Sequence, residues 1–153
     1  MSRGDIAKEN FKKGYNCAQA VLLAFADMTD IDEESLLRLG LPFGGGMGRM
    51  RLTCGTVTGM IAALGLITGT AALDAKAKNE QYAAVQELVR RFREKNGSII
   101  CEELLSGKGV ATDVAPVAET RTERYYKKRP CADLCLDAAE ILEEYLKEKG
   151  YIL

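Results

Sequence analysis

Leu52 to Leu73, LTCGTVTGMIAALGLITGTAAL, is the stretch on which the architecture turns. Its 22 residues carry no charge, and nine of them are Gly or Thr. The run is long enough to span a bilayer, and Gly55, Gly59, Gly65 and Gly69 give it two small-xxx-small spacings. Large aliphatics are few, however, and no Trp or Tyr anchors its flanks. The reading is therefore a central helix covered on all sides by other helices, with no membrane span. Its glycines would let neighbouring backbones come close.

The flanking sequence supplies the covering helices. Residues 5 to 26 read as one long helix carrying Ile6, Phe11, Tyr15, Ala18, Leu22 and Phe25, with Cys17 in its middle. Asp30 or Asp32 caps a short helix holding Leu36, Leu37 and Leu39, and Gly40 ends it. LPFGGGMGRMR, from Leu41 to Arg51, is an irregular loop. Asp74 to Asn96 forms an amphipathic helix with the stripe Tyr82, Val85, Leu88, Val89 and Phe92, stopped by Gly97. Ser98 reads as the cap of a short helix containing Ile99, Ile100, Cys101, Leu104 and Leu105.

Ser106 to Pro116 is the least structured stretch by composition, and the segment on to Arg129 reads equally as a lid, a dimer arm or a loop. Pro130 fits the first position of the last helix. Along that helix Cys131, Leu134, Cys135, Ala138, Ile141, Leu142 and Tyr145 share one face before Gly150. No strand alternation, repeat or domain boundary is visible. The expectation is all-α: a single domain over residues 1–153, a bundle of five or six helices around the Gly/Ala/Thr-rich centre.

Composition narrows the chemistry. The 153 residues are 47% hydrophobic and 28% charged, ordinary for a globule. With 21 basic and 22 acidic residues the net charge is −1, which gives no footprint for nucleic acid. There is no His, which excludes Ser-His and Cys-His catalysis and His–metal ligation. The first residues, MSRGDIAKENFKKG, have no apolar signal-peptide core, so a cytoplasmic location with reduced thiols is expected. Five cysteines remain, an odd number for a disulfide framework.

Their placement is suggestive. Cys54, Cys101 and Cys131 fall in predicted first helical turns, where free N–H groups and the helix dipole favour a thiolate. Lys127, Lys128 and Arg129 add positive charge before Cys131. Gly44, Gly45, Gly46 and Gly48 precede Cys54 and could form an anion- or cofactor-holding nest of amides. That loop lacks the Gly-Lys-Ser/Thr of a P-loop, so no nucleotide is expected. No CxxCH is present for haem attachment, and no CxxC for a thioredoxin-type or zinc-ribbon site. Cys131 and Cys135 are an i, i+4 pair, with Cys135 the more core-like.

Taken together, Gly14-Tyr15-Asn16-Cys17-Ala18-Gln19, Gly44-Gly45-Gly46-Met47-Gly48, Cys54-Gly55-Thr56-Val57-Thr58-Gly59 and the single Cys101 and Cys131 carry a resemblance. Over residues 11 to 145 the chain resembles the family labelled C-GCAxxG-C-C after its cysteines. The label puts Gly before and Ala after the second cysteine, whereas here Cys54 precedes Gly55 and Thr56 follows; Cys135 is additional. The resemblance implies redox activity, since some members carry selenocysteine. It extends to the non-haem part of split-Soret cytochromes c, which are dimers associated with an iron–sulfur centre. It implies Cys17, Cys54, Cys101 and Cys131 as the functional set, and a homodimer.

Three readings follow. The first is a cytoplasmic redox protein transferring electrons through an iron–sulfur cluster on Cys17, Cys54, Cys101 and Cys131, with an unnamed redox partner protein. The second is a thiol–disulfide or peroxide reductase with Cys54 as nucleophile and Cys131 or Cys101 resolving. The third is a non-catalytic helical scaffold with inert thiols or a structural metal.

Overall fold

The computed structural model describes residues 1–152. Among these, eight α-helices form a bundle with no strand, and one antiparallel bridge joins Thr53 to Ile100. The helices are α1 (Arg3–Lys12), α2 (Cys17–Leu23), α3 (Glu33–Gly40), α4 (Gly55–Thr68), α5 (Ala75–Asn96), α6 (Cys101–Ser106), α7 (Glu123–Lys128) and α8 (Cys131–Glu148). The all-α expectation holds. The count is higher than five or six because the first helix is split and α7 lies inside the segment left open.

The split has a local cause. Gly14 adopts φ 118°, which a helix cannot accommodate. Two residues on, Asn16 starts a new helix with a reciprocal cap: its side chain accepts from the Gln19 amide, and the Gln19 side chain accepts from the Asn16 amide. Cys17 is therefore the first residue of α2, not the middle of a long helix.

α4 is central, packed by α2, α8 and α5. Gly59 lets the Ala18 carbonyl come so near that a Cβ there would stand 2.7 Å from it. The expected burial on all sides holds only for the N-terminal part of α4, where Thr56, Val57, Met60, Ala63 and Leu64 are fully buried. Gly65 is exposed and Leu66 to Thr68 are half-buried, because that end is covered only in part, with Thr68 bonded to Gln81 of α5. No helix among the described residues is long and apolar enough to cross a membrane.

Asp74 caps α5, and Gly97 ends it in the left-handed conformation. Of its predicted stripe, Leu88 and Phe92 reach the core, while Tyr82 is exposed because only the C-terminal half of α5 docks. Ser98 does not cap α6 directly. Its hydroxyl accepts from the Ile100 amide and donates to Glu103, and the helix begins at Cys101. Pro130 stands at the N-cap of α8 rather than inside it. α8 runs against α1, α2, α4 and α5 and buries Leu134, Cys135, Ala138, Leu142 and Leu146 along its inner face.

Candidate functional site

The fold brings four cysteines to one place. Cys17 opens α2, Cys54 is the residue before α4, Cys101 opens α6 and Cys131 opens α8. All four line one small, partly open cavity of about 70 Å³, with Phe11, Leu104, Leu134 and Tyr125 among its walls. The sequence pointed to three cysteines in first turns. The Gly14–Asn16 break adds the fourth.

The glycine loop braces this arrangement from the outside. Gly45, Gly46, Met47, Gly48, Arg49 and Arg51 all have positive φ, so the chain coils tightly from Gly44 to Leu52. Its amides are largely spent within the coil: Gly48 donates to Pro42 at 2.8 Å, Arg49 to Gly44 at 3.1 Å, Arg51 to Gly45 at 3.1 Å and Leu52 to Gly46 at 2.9 Å. The Gly45 amide is turned to the Cys17 sulfur, where it stabilises negative charge. Gly46 lies against the Cys101 Cβ. Gly44 and Gly48 face an outer groove instead of the cavity. Beyond the loop, the Cys54 amide donates to the Ile99 carbonyl at 2.7 Å, and the Cys101 amide to the Leu52 carbonyl at 2.6 Å. These two bonds fix Cys54 and Cys101 side by side.

Cys17, Cys54 and Cys101 are buried and Cys131 is half-buried; burial governs the charge of Cys17, Cys54 and Cys131. Desolvation pushes Cys54 up to about 12, with the neighbouring Cys17 adding to the rise and the Thr56 hydroxyl, 3.1 Å from the sulfur, opposing it. Cys17 and Cys131 are raised for the same primary reason. The helix starts thus do not yield free thiolates at Cys17, Cys54 or Cys131, because loss of water outweighs the local amides. Cys101 differs in its surroundings: the Arg51 guanidinium donates to its sulfur at 3.8 Å. Cys135, one turn into α8, is fully buried in the core and turned to the Cys17 carbonyl; it does not line the cavity.

Three guanidiniums also reach the cavity. Arg51 is only 5% exposed, a signal the composition did not give. Arg121 donates to the carbonyls of Phe11 (2.6 Å) and Tyr15 (2.9 Å) and stacks 4.1 Å over the Phe11 ring. Arg129 stacks over Tyr125. All five cysteines are free thiols. Among the described residues no three His, Cys, Asp or Glu side chains are drawn together as they would be around a single metal ion. The four sulfurs are instead distributed around the cavity walls.

No curated protein and no solved structure gives a match to the chain. A family model described as "Putative redox-active protein (C_GCAxxG_C_C)" matches residues 15–145. That span runs from the cap of α2 nearly to the end of α8 and contains every cysteine on the cavity, so the chain belongs to the C_GCAxxG_C_C family.

Proposed function

We propose that this protein is an electron carrier in which Cys17, Cys54, Cys101 and Cys131 hold an iron–sulfur cluster. The observation that carries the reading is their convergence, from four separate helix starts, on one small cavity. The donor set fits the group: four sulfurs, no histidine in the chain, and no carboxylate on the cavity wall. A bound cluster would supply reversible one-electron exchange.

The surrounding residues have definite work in this account. Leu104, Leu134 and Phe11 exclude water. Arg51, Arg121 and Arg129 balance the negative charge of four thiolates, and the Gly45 amide does the same at Cys17. With Cys17, Cys54 and Cys131 held protonated by burial, ligation must release protons, so loading would be favoured as pH rises. Cytoplasmic location, a homodimer and a protein redox partner belong to the same proposal. It is tested by anaerobic reconstitution of single Cys→Ala variants. Loss of bound iron at positions 17, 54, 101 and 131, but retention in Cys135→Ala, supports it. Equal iron in all five variants sinks it.

One contact favours the second reading, a thiol–disulfide or peroxide reductase. The Arg51 guanidinium donates to the Cys101 sulfur at 3.8 Å, which sets a cation against this thiol. In that case the attacking thiol is Cys101 instead of the deeply buried Cys54, and Cys131 is its resolving partner. Fast alkylation confined to Cys101 at neutral pH would favour it over the cluster.

A further inference from the structure

We infer that the groove outside the cysteine cavity is a binding site for a small polyanion, and that Glu119 occupies it as an internal substitute. The groove shares Arg51, Arg121 and Arg129 with the cysteine cavity, but the inference does not depend on what the cysteines hold.

The groove encloses about 760 Å³, within the range of small-molecule sites. Arg49, Arg51, Arg121 and Arg129 line it, and Lys12 and Lys13 stand at its rim. The only acidic side chain among its lining residues is Glu119. Three of the arginines meet that one carboxylate: Arg49 at 3.2 Å, Arg51 at 3.7 Å, and Arg129 in closest contact. Arg49, Arg51 and Arg129 are each largely buried, at 14%, 5% and 8% side-chain exposure. Bringing like charges together out of water is costly unless anions compensate them. Two carboxylates, Glu119 at 38% exposure and Asp113 at 66% on Arg49 alone, are a partial answer. Guanidiniums are the donors suited to bidentate capture of carboxylate or phosphate oxygens.

Glu119 arrives on a strap, residues 107–120, that has no helix, is exposed almost throughout and ends at the anchored Arg121. Val114 and Val117 on it are 63% and 67% exposed, so it buries little apolar surface. Its attachments are polar. Arg51 donates to the Asp113 carbonyl at 3.1 Å, and Arg49 to the Asp113 carboxylate and the Ala115 carbonyl. A segment held this way opens at low cost compared with the core. An anion with two or more charged oxygens would displace Glu119 and satisfy the same guanidiniums more fully. The ligand chemistry is therefore a small molecule bearing phosphates or several carboxylates.

The test is calorimetric titration of the whole protein with inorganic pyrophosphate and, separately, with tricarballylate, at low salt. We expect a dissociation constant below about 1 mM for at least one of them. Whichever binds more tightly identifies phosphate or carboxylate as the preferred group. Glu119→Gln removes the competitor and should tighten binding about tenfold, as expected if the strap is closed about nine-tenths of the time. The exposed pair Lys12→Gln/Lys13→Gln, which cannot disturb the core, should weaken binding a few-fold. No heat for either anion up to about 10 mM in both the natural protein and Glu119→Gln would overturn the site. Unchanged or weaker binding by Glu119→Gln would overturn the role given to Glu119.

Discussion

The Sγ of Cys17 rests against the Cα of Gly55, in the space where any larger residue would place its Cβ. The same missing Cβ would also stand 2.9 Å from the Phe43 carbonyl. Gly55→Ala should therefore displace Cys17 and destabilise the protein by about 1–3 kcal/mol. Gly65→Ala is the matched control, since nothing lies within 4 Å of its added Cβ. It should stabilise α4 by about 0.5–1 kcal/mol. Urea unfolding of the two variants checks the contrast.

Asn16 carries the break that makes Cys17 a helix-start residue. Beyond its reciprocal cap with Gln19, its amide donates to the Leu41 carbonyl at 3.0 Å and ties α2 to the glycine loop. Asn16→Ala should cost about 1–2 kcal/mol. It should also reduce bound iron after reconstitution, whereas Asn79→Ala, in the exposed N-terminal half of α5, should leave iron unchanged.

The thiols give the cluster-free protein a pH signature. Cys54 is raised from 9.0 to about 12 in the fold. A raised folded value means that the stabilising contribution is complete below the unfolded pKa. It is lost as pH rises from about 9 through about 12, where the unfolded chain ionises first. Chemical denaturation midpoints should fall across that window in the natural protein. They should fall less in Cys54→Ala, and Cys54 should resist alkylation at pH 7.

Arg51 is a cation in direct contact with a cysteine sulfur. Arg51→Met removes its charge from beside Cys101 and its bond to the Asp113 carbonyl. The midpoint potential of the loaded protein should move to lower values, because the added electron loses a compensating charge. Stability should fall by about 1–3 kcal/mol as hydrogen bonds to a charged group are lost. Redox titration and thermal unfolding read the two effects separately.

Much of this was legible in the sequence where periodicity and caps agree. Asp32, Asp74 and Gly97 fall at the helix ends that their chemistry predicts. The charge-free run marked α4 as central, but the helix ends at Thr68 and the uncharged residues 69–73 that follow are exposed, not part of a buried helix. What periodicity hid was the interruption at Gly14: Phe11, Tyr15 and Ala18 keep helical spacing across a break. The Asn-x-x-Gln capping box at Asn16 was the available signal for it. Convergence of the four cysteines was not readable from spacing, since Cys54 and Cys101 are joined through the Thr53–Ile100 bridge, a contact between distant segments. Nor could composition reveal Arg51 as buried beside Cys101. An arginine at positive φ in a glycine coil is placed by the coil, not by any local hydrophobic pattern.

The most direct test of the central claim is the absorption spectrum of anaerobically purified protein, with iron and acid-labile sulfide measured on the same sample. The account predicts visible charge-transfer bands that bleach on reduction, with iron and sulfide in equal, stoichiometric amounts. A colourless protein that also takes up neither iron nor sulfide on anaerobic reconstitution, with all five thiols titratable, would contradict it.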